Sequence, residues 1–287
     1  MALRRKRLVG VLGTLALVAA AVAVGVTGVT TASAAPAVKA TAKGAATKRT
    51  VAKATALKTV AKKSVTAKAA TAVPGAAVSI SFDDGQLGHY LNAWPVLKKN
   101  GYHGTFYVIS DGMTWGAPQM NAAQVKELAA AGDEIGNHTR DHSDLSTLSA
   151  AQVAAEFADS QAAFAKIGIK PTTCAYPSGI ATPETEQIAA TYFAACRGTG
   201  GGFDTTGTDP YKLQVFYLHS TTTVAEIQTA LQQAKAAKSW IIFVHHGVGT
   251  VTGDEDITTA MFGSEVAAIK ASGIPVLTVA QAHAAHH

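Results

Sequence analysis

From residue 73 onward the chain alternates short apolar runs with amphipathic stretches, and the two periods predict strands and helices in turn. Ala77-Val-Ser-Ile-Ser-Phe82 alternates in the manner of a strand, and residues 90–99 repeat their apolar positions at helical spacing before stopping at Asn100-Gly101. Further strands are expected at 105–109, 134–137, 172–176, 193–196, 215–218, 240–244 and 274–279. Helices are expected at 121–131 with Asn121 as cap, 149–167 with Ser149 as cap, 183–191, 224–237 and 258–271. Strands alternating with helices imply parallel pairing, in a barrel or a doubly wound sheet. In such folds functional groups sit just past the strand C-termini, and Asp83, Asp84, His138, Pro177 and His245 all fall there.

The first 72 residues follow other rules. Arg4-Arg-Lys-Arg7, an apolar stretch over 8–29 and Ala32-Ser-Ala34 make residues 1–34 a secretory signal. The stretch also approaches the roughly 20 residues that cross a bilayer, which leaves an N-terminal anchor open. Either reading puts the remainder outside the cytoplasm, secreted or associated with the cell wall. Residues 35–72 hold nine Lys or Arg and no acid, with no apolar period, and read as a disordered basic linker. Such a segment is either a spacer or a contact for anionic cell-wall polymer or a membrane surface.

The net charge of +5 conceals this division, because residues 73–287 carry 11 basic and 19 acidic residues, a net of −8. A nucleic-acid partner is not expected for the acidic part. That part suffices for one α/β domain, expected to be monomeric. Cys174 and Cys196 are the only cysteines, and a disulfide or two buried thiols both fit an exported chain.

Two short segments carry ligand-like chemistry. Asp83-Asp84 ends the first strand and is followed by Gly85, and His138-Thr-Arg-Asp-His142 follows Asp133-Glu-Ile-Gly-Asn137. Two imidazoles and a carboxylate commonly hold a divalent metal with one position left open. The second aspartate is then free to act as a base. Four-residue spacing on one helical turn would project both imidazoles to one side.

These residues resemble a known family. Ser81-Phe-Asp-Asp-Gly85 is similar to the first motif of the polysaccharide deacetylases (carbohydrate esterase family four), and His138-Thr-Arg-Asp-His142 to the second. Ala175-Tyr-Pro-Ser-Gly179 stands at the third motif, and Phe243-Val-His245 resembles the fifth. The resemblance implies a distorted, seven-stranded (β/α) barrel forming a single catalytic domain over 73–287. It implies removal of N-acetyl groups from an acetylated glycan such as chitin, peptidoglycan or poly-N-acetylglucosamine. Asp84, His138 and His142 would hold the metal, with Zn2+ expected and Co2+ or Ni2+ compatible with the same ligands. Asp83 would be the general base, and the N–H of Ser178 would hold the oxyanion, with Tyr176 and Pro177 along the substrate groove.

An amine leaves poorly unless protonated, so a second acid is needed. His245 is the first candidate and His246 the alternative, since one residue at a strand end reverses the direction of the side chain. The chain departs from the family pattern twice. Ala175 replaces the Arg that steadies the catalytic Asp, so another group must hold Asp83. The fourth-motif Asp has no clean match, and Asp204 or Asp209 is the candidate to tune His245. Two other readings follow: an O-acetyl xylan esterase with the same site, or a catalytically degraded wall-binding module.

Overall fold

The computed structural model describes residues 75–287. The leader expected over 1–34 and the basic linker over 35–72 lie outside the described residues. Seven parallel strands close into a barrel: β1 (Ala77–Phe82), β2 (Thr105–Val108), β3 (Glu134–Asn137), β4 (Thr173–Ala175), β5 (Ala195–Gly201), β6 (Leu213–Tyr217) and β7 (Trp240–His245). β1 and β7 pair along their whole length, from Ala77 opposite Trp240 to Phe82 opposite His245. The helices are α1 (Trp94–Asn100), α2 (Ala122–Ala131), α3 (Ala150–Lys166), α4 (Pro183–Ala189), α5 (Val224–Ala237), α6 (Thr259–Ser272) and α7 (Val279–His286). No helix separates β5 from β6, and their register shifts between Arg197 and Gly201, so the barrel is uneven on that side.

Strand alternation sorts the core into two layers. Ala77, Tyr107, Ala175, Leu213, Val215, Trp240, Ile242 and Val244 fill the barrel interior. Val78, Ile80, Phe82, Phe106, Ile241 and Phe243 face outward beneath the helices. Phe82 is fully buried there, stacked on Phe106 at 4.7 Å and edge-on to Phe262, and burial of one such ring is worth about 1.5–3 kcal/mol. The helix starts follow the sequence signals: Asn121 accepts from the Ala123 and Gln124 N–H groups, and Gln124 Oε1 accepts from the Asn121 N–H. Ser149 begins α3, where Gln152 Oε1 accepts from its N–H.

The run at 274–279 is not a strand of the barrel, contrary to its apolar pattern. Val276 makes one parallel bridge to Val78, and the chain then enters α7. Pro275 has no N–H to extend a ladder, and Thr278 accepts from the Gln281 N–H as the cap of α7. Below the interior layer, Glu134 accepts from Thr105 Oγ1, Thr173 Oγ1 and the Ala280 N–H, tying α7 across the closed end of the barrel. Burial pushes the Glu134 carboxyl above its ordinary range. Cys174 and Cys196 form a disulfide across paired positions of β4 and β5, with Cα atoms 4.4 Å apart.

Candidate active site

β1 delivers two aspartates to the open end of the barrel. Its inward positions are Ala77, Ser79 and Ser81, and Asp83 continues the series with its N–H donating to the His245 carbonyl at 2.9 Å. Asp84 has φ 68° and Gly85 has φ 68°, so the chain turns sharply and carries the Asp84 carboxylate over the mouth. Position 85 needs glycine twice over: φ is left-handed, and an added Cβ would meet Val108 Cγ1 at 3.0 Å.

The histidines come from the loop after β3. Thr139 (φ 64°) and His142 (φ 68°) break any helical turn, so the pair reaches one side by a loop and not by the helical spacing expected. Asn137 Oδ1 accepts from the Thr139 N–H, and Asn137 Nδ2 donates to Ser160 Oγ, which donates to the Thr139 carbonyl. The His142 N–H then donates to Thr139 Oγ1. His138 Nδ1 donates to the Ala175 carbonyl at 2.8 Å, which fixes its tautomer and turns Nε2 toward Asp84. His138 Nε2 and His142 Nε2 lie 3.4 and 3.5 Å from Asp84 Oδ1, and one ligand atom from each of the three residues lies within 4.8 Å of the others. Burial raises the Asp84 carboxyl, but the His138 hydrogen bond and the neighbouring imidazoles outweigh it and hold it well below the usual carboxylate range. Burial lowers His138, and the Asp83 and Asp84 carboxylates more than offset this, leaving it above its ordinary value. Burial, then the His138 charge, keep His142 low.

Asp83 faces the cluster from inside the barrel, only 3% exposed. Its partner is Arg197 of β5, whose Nη2 contacts Asp83 Oδ1. Arg197 is itself 1% exposed and lies over the Tyr107 ring, its Cζ 4.7 Å from the ring centroid. Burial raises the Asp83 carboxyl, and Arg197, His138 and His246 together hold it below the ordinary range. Ala175 and Arg197 are Cα partners in the β4–β5 ladder, so the guanidinium missing at 175 is supplied one strand over at the same level. Its sequence signal is faint: Arg197 follows Ala195-Cys196 at the alternate position of a strand expected to stop at 196.

The structure corrects the position of His245. It is 0% exposed, its Nε2 is 2.8 Å from Glu265 Oε2, its Nδ1 is 3.0 Å from the Ser81 carbonyl, and Phe82 and Phe262 enclose its ring. It belongs to the outward series Ile241, Phe243, His245, and so points away from the cleft. His246 points in, with Nε2 4.0 Å from Asp83 Oδ2. Its ring meets the Tyr217 hydroxyl, which also donates to Glu255 Oε1 at 3.1 Å.

Neither carboxylate expected to tune His245 does so. Asp204 is buried at the opposite end of β7, bridged to Trp240, and burial lifts its pKa to about 7. Asp209 is half exposed beside Lys212. Tyr176 and Pro177 are also corrected. The Tyr176 side chain is buried, with its hydroxyl donating to the Tyr211 carbonyl, and Pro177 is buried, so neither lines the main cleft. Ser178 does line it, with φ 55° in a tight turn over Pro177–Gly179.

The cleft has a volume of about 480 Å3. Asp84, His142 and Ser178 line it along with Thr199, and Tyr217, His219, His246 and Glu255 complete its lining. Of the other histidines, His89 is buried and burial drops its pKa to about 4, while His103 is half exposed next to Asp133.

Residues 70–193 match the family model of the polysaccharide deacetylases. YxkH of Bacillus subtilis, a protein bearing that family's name, is 39% identical over 113 residues, covering 39% of this chain and 40% of its own. A chitin deacetylase of Pestalotiopsis is 33% identical over 95 residues, covering 33% of this chain and 31% of its own. The chain therefore matches well under half the length of either relative. Among solved structures, a family 4 acetyl xylan esterase from Clostridium thermocellum, in complex with a cobalt ion, has the same fold. Its TM-score is 0.52 at 19% identity, over 72% of this chain and 89% of that one. With the motifs around Asp83-Asp84 and His138-x3-His142 inside the matched region, residues 70–193 carry a polysaccharide deacetylase domain.

Proposed function

We propose that this chain is a metal-dependent hydrolase that removes N-acetyl groups from an acetylated polysaccharide outside the cytoplasm. The observation that carries the reading is the opposition of two groups across one cleft. Asp84, His138 and His142 converge on one side, and the Arg197-held Asp83 and His246 face them. The donor set suits a divalent cation, because both imidazoles present Nε2 to one carboxylate oxygen and the Ala175 carbonyl fixes the His138 tautomer. Zn2+ is the expected ion, with Co2+ or Ni2+ compatible. When bound, the cation supplies Lewis acidity and lowers the pKa of water in the site.

The chain's own groups do the rest. Asp83, kept ionised by Arg197, takes the proton of the attacking water. The Ser178 N–H, on a left-handed turn at the cleft wall, donates to the oxygen that becomes negative in the tetrahedral adduct. His246 gives a proton to the departing nitrogen, the role first assigned to His245. The alternative, an O-acetyl xylan esterase, would tolerate a poor acid because an alkoxide leaves more easily than an amide anion. A well-formed acid side at His246 favours the amide. Arg197 likewise argues against a degraded binding module, since it restores the support lost at Ala175.

Export is supported by the bonded Cys174–Cys196 pair, which belongs to an oxidising compartment. In this reading the basic segment at 35–72 rests on anionic cell-wall polymer. The test is acetate release from N-acetylglucosamine oligomers and from acetylated xylan, before and after chelation and readdition of Zn2+. Release from the oligomers that stops on chelation and returns with the ion is expected. Release from xylan alone would overturn the substrate assignment, and release untouched by chelation would overturn the metal.

A further inference from the structure

Tyr176 lies away from the main cleft, in the wall of a second hollow that adjoins it. The two spaces share Thr199, and the turn after β4 gives Ser178 to one and Gly179 to the other. The hollow exists because the barrel is irregular there. Between the pairs Arg197–Leu213 and Gly201–Val215, β5 has Gly198, Thr199 and Gly200 where β6 has Gln214 alone, so these three bulge from the ladder. The β4–β5 ladder has already ended at Arg197, and no helix follows β5 to cover the bulge. A Cβ at Gly179 would collide with the Thr199 side chain, and one at Gly198 would meet the Gly179 carbonyl oxygen at 3.1 Å, so the two main chains touch and keep the floor low. Gly200 is different: an added Cβ would meet nothing within 4 Å, and its φ is outside the left-handed region. No backbone requirement calls for glycine at 200, where the missing side chain leaves the space open.

The lining has the chemistry of a sugar site. Tyr176 and Tyr211 contribute rings, their hydroxyls already committed to the Tyr211 and Phe193 carbonyls. Among the described residues, the charged ones lining it are Glu186 and Lys212, paired at 3.1 Å. Lys212 is also 3.9 Å from Asp209, so a carboxylate entering the hollow would find its cation already shared. Apolar ring surface beside a neutralised donor and acceptor suits a ring that carries hydroxyls and no charge. The volume is about 170 Å3, below the roughly 300–1,000 Å3 of pockets for drug-sized ligands, and suits one such ring. We propose that this hollow is a second saccharide subsite, holding an uncharged sugar of the same chain whose acetyl group is attacked in the main cleft. The inference rests on the deacetylase reading and narrows its substrate to a neutral glycan of N-acetylglucosamine units. Contacts to a remote unit can be used at the reacting centre, so a substrate too short to reach the hollow loses rate as well as affinity.

The test is the dependence on chain length. For the full chain with Zn2+ added, kcat/KM for acetate release should rise on the order of 10-fold or more from N-acetylglucosamine to its tetrasaccharide. Gly200→Leu places a side chain in the open space without a backbone clash, and should bring that ratio close to one. Gly201→Leu, where an added Cβ also meets nothing within 4 Å but the residue does not line the hollow, should keep the parent ratio. Lys212→Ala, at an exposed position, should lower the ratio by a smaller factor and serves as the test should Gly200→Leu fold poorly. Calorimetric titration of the tetrasaccharide into the full chain with no metal added reads the same contact without turnover, and Gly200→Leu should weaken that binding on the order of 10-fold. A ratio unchanged by both Gly200→Leu and Lys212→Ala, or an equal loss in Gly201→Leu, would overturn the subsite. A larger gain with length on peptidoglycan strands, whose alternate sugars carry carboxylates, would overturn its preference for a neutral unit. A parent that binds the tetrasaccharide but releases no acetate from any glycan sinks the deacetylase reading instead, and the titrations still decide the subsite.

Discussion

The two sides of the cleft are built by different rules. The ligand side takes Asp84 from the end of β1 and both histidines from one loop after β3, held by bonds that seldom leave that loop or its neighbouring helix. The proton-transfer side takes Asp83 from the end of β1, Arg197 from β5, Tyr217 from β6, and His246 and Glu255 from the segment that follows β7. Groups that must converge on one ion need tight mutual spacing, and a short segment provides it cheaply in entropy. Groups that adjust a proton need only the right level and face of the barrel, so any strand of matching parity can supply them. The first kind of site is written along the chain, the second across it.

Substitutions on the two sides break or sharpen that contrast. Asp84→Ala or His138→Ala should lower acetate release on the order of 10³-fold, a few kcal/mol of barrel-mouth electrostatics. Either should also abolish stoichiometric Zn2+ in elemental analysis; a variant keeping both ion and rate would break the ligand side. Arg197→Ala comes next. It leaves Asp83 buried and unpaired, a loss of about 3–5 kcal/mol in a buried ion pair, read as a lower denaturation midpoint and a ~10²-fold slower rate. Ala175→Arg added to that variant should restore part of the rate, because the new guanidinium starts from the paired position. Failure of that rescue would count against interchange between strands.

His246→Ala should slow amide hydrolysis about 10²-fold while sparing an activated ester. His245→Gln should instead lower stability and slow both substrates alike, since His245 lies in the core with Glu265. The smallest effect is expected at the closed end of the barrel. Burial lifts Asp204 to about 7 from the ordinary 3.8, so the folded chain binds that proton more tightly than the unfolded one. Its stability contribution is intact below the ordinary value and is lost as pH rises through the folded one. Asp204→Asn should therefore raise the melting temperature by about 2–4 °C per kcal/mol recovered at pH 8 and leave it nearly unchanged at pH 4, with activity unaffected. Calorimetry at the two pH values checks the sign.

Seven strands, most helix starts and the convergence of Asp84, His138 and His142 were legible in the sequence because periodicity and short motifs are local signals. His245 and His246 could not be ordered that way. Trp240-Ile-Ile-Phe-Val244 is apolar at every position, as a parallel strand buried on both faces must be, and shows no alternation from which to read parity. Arg197 fell outside the expected end of its strand. The helical geometry expected for His138 and His142 gave way to left-handed residues at Thr139 and His142, whose cost is met by the Asn137 and Ser160 bonds. Asp204 stood at a plausible place along the chain but at the wrong end of the barrel, a fact that only closure of the sheet determines. The run at 274–279 misled because apolar content says nothing of Pro275 as a missing donor.

The pairing of Ala175 with Arg197 bears on how such a chain can change over generations. The tether of Asp83 belongs to a pair of positions, either of which can hold the cation while the other stays small. A lineage that moves the cation must pass through a form with two guanidinium groups on adjacent strands, about 4.8 Å apart at the backbone and facing one carboxylate, or through a form with none. Both intermediates are handicapped, the first by repulsion and the second by an orphaned charge. Once the move is complete, reversal faces the same two handicapped intermediates.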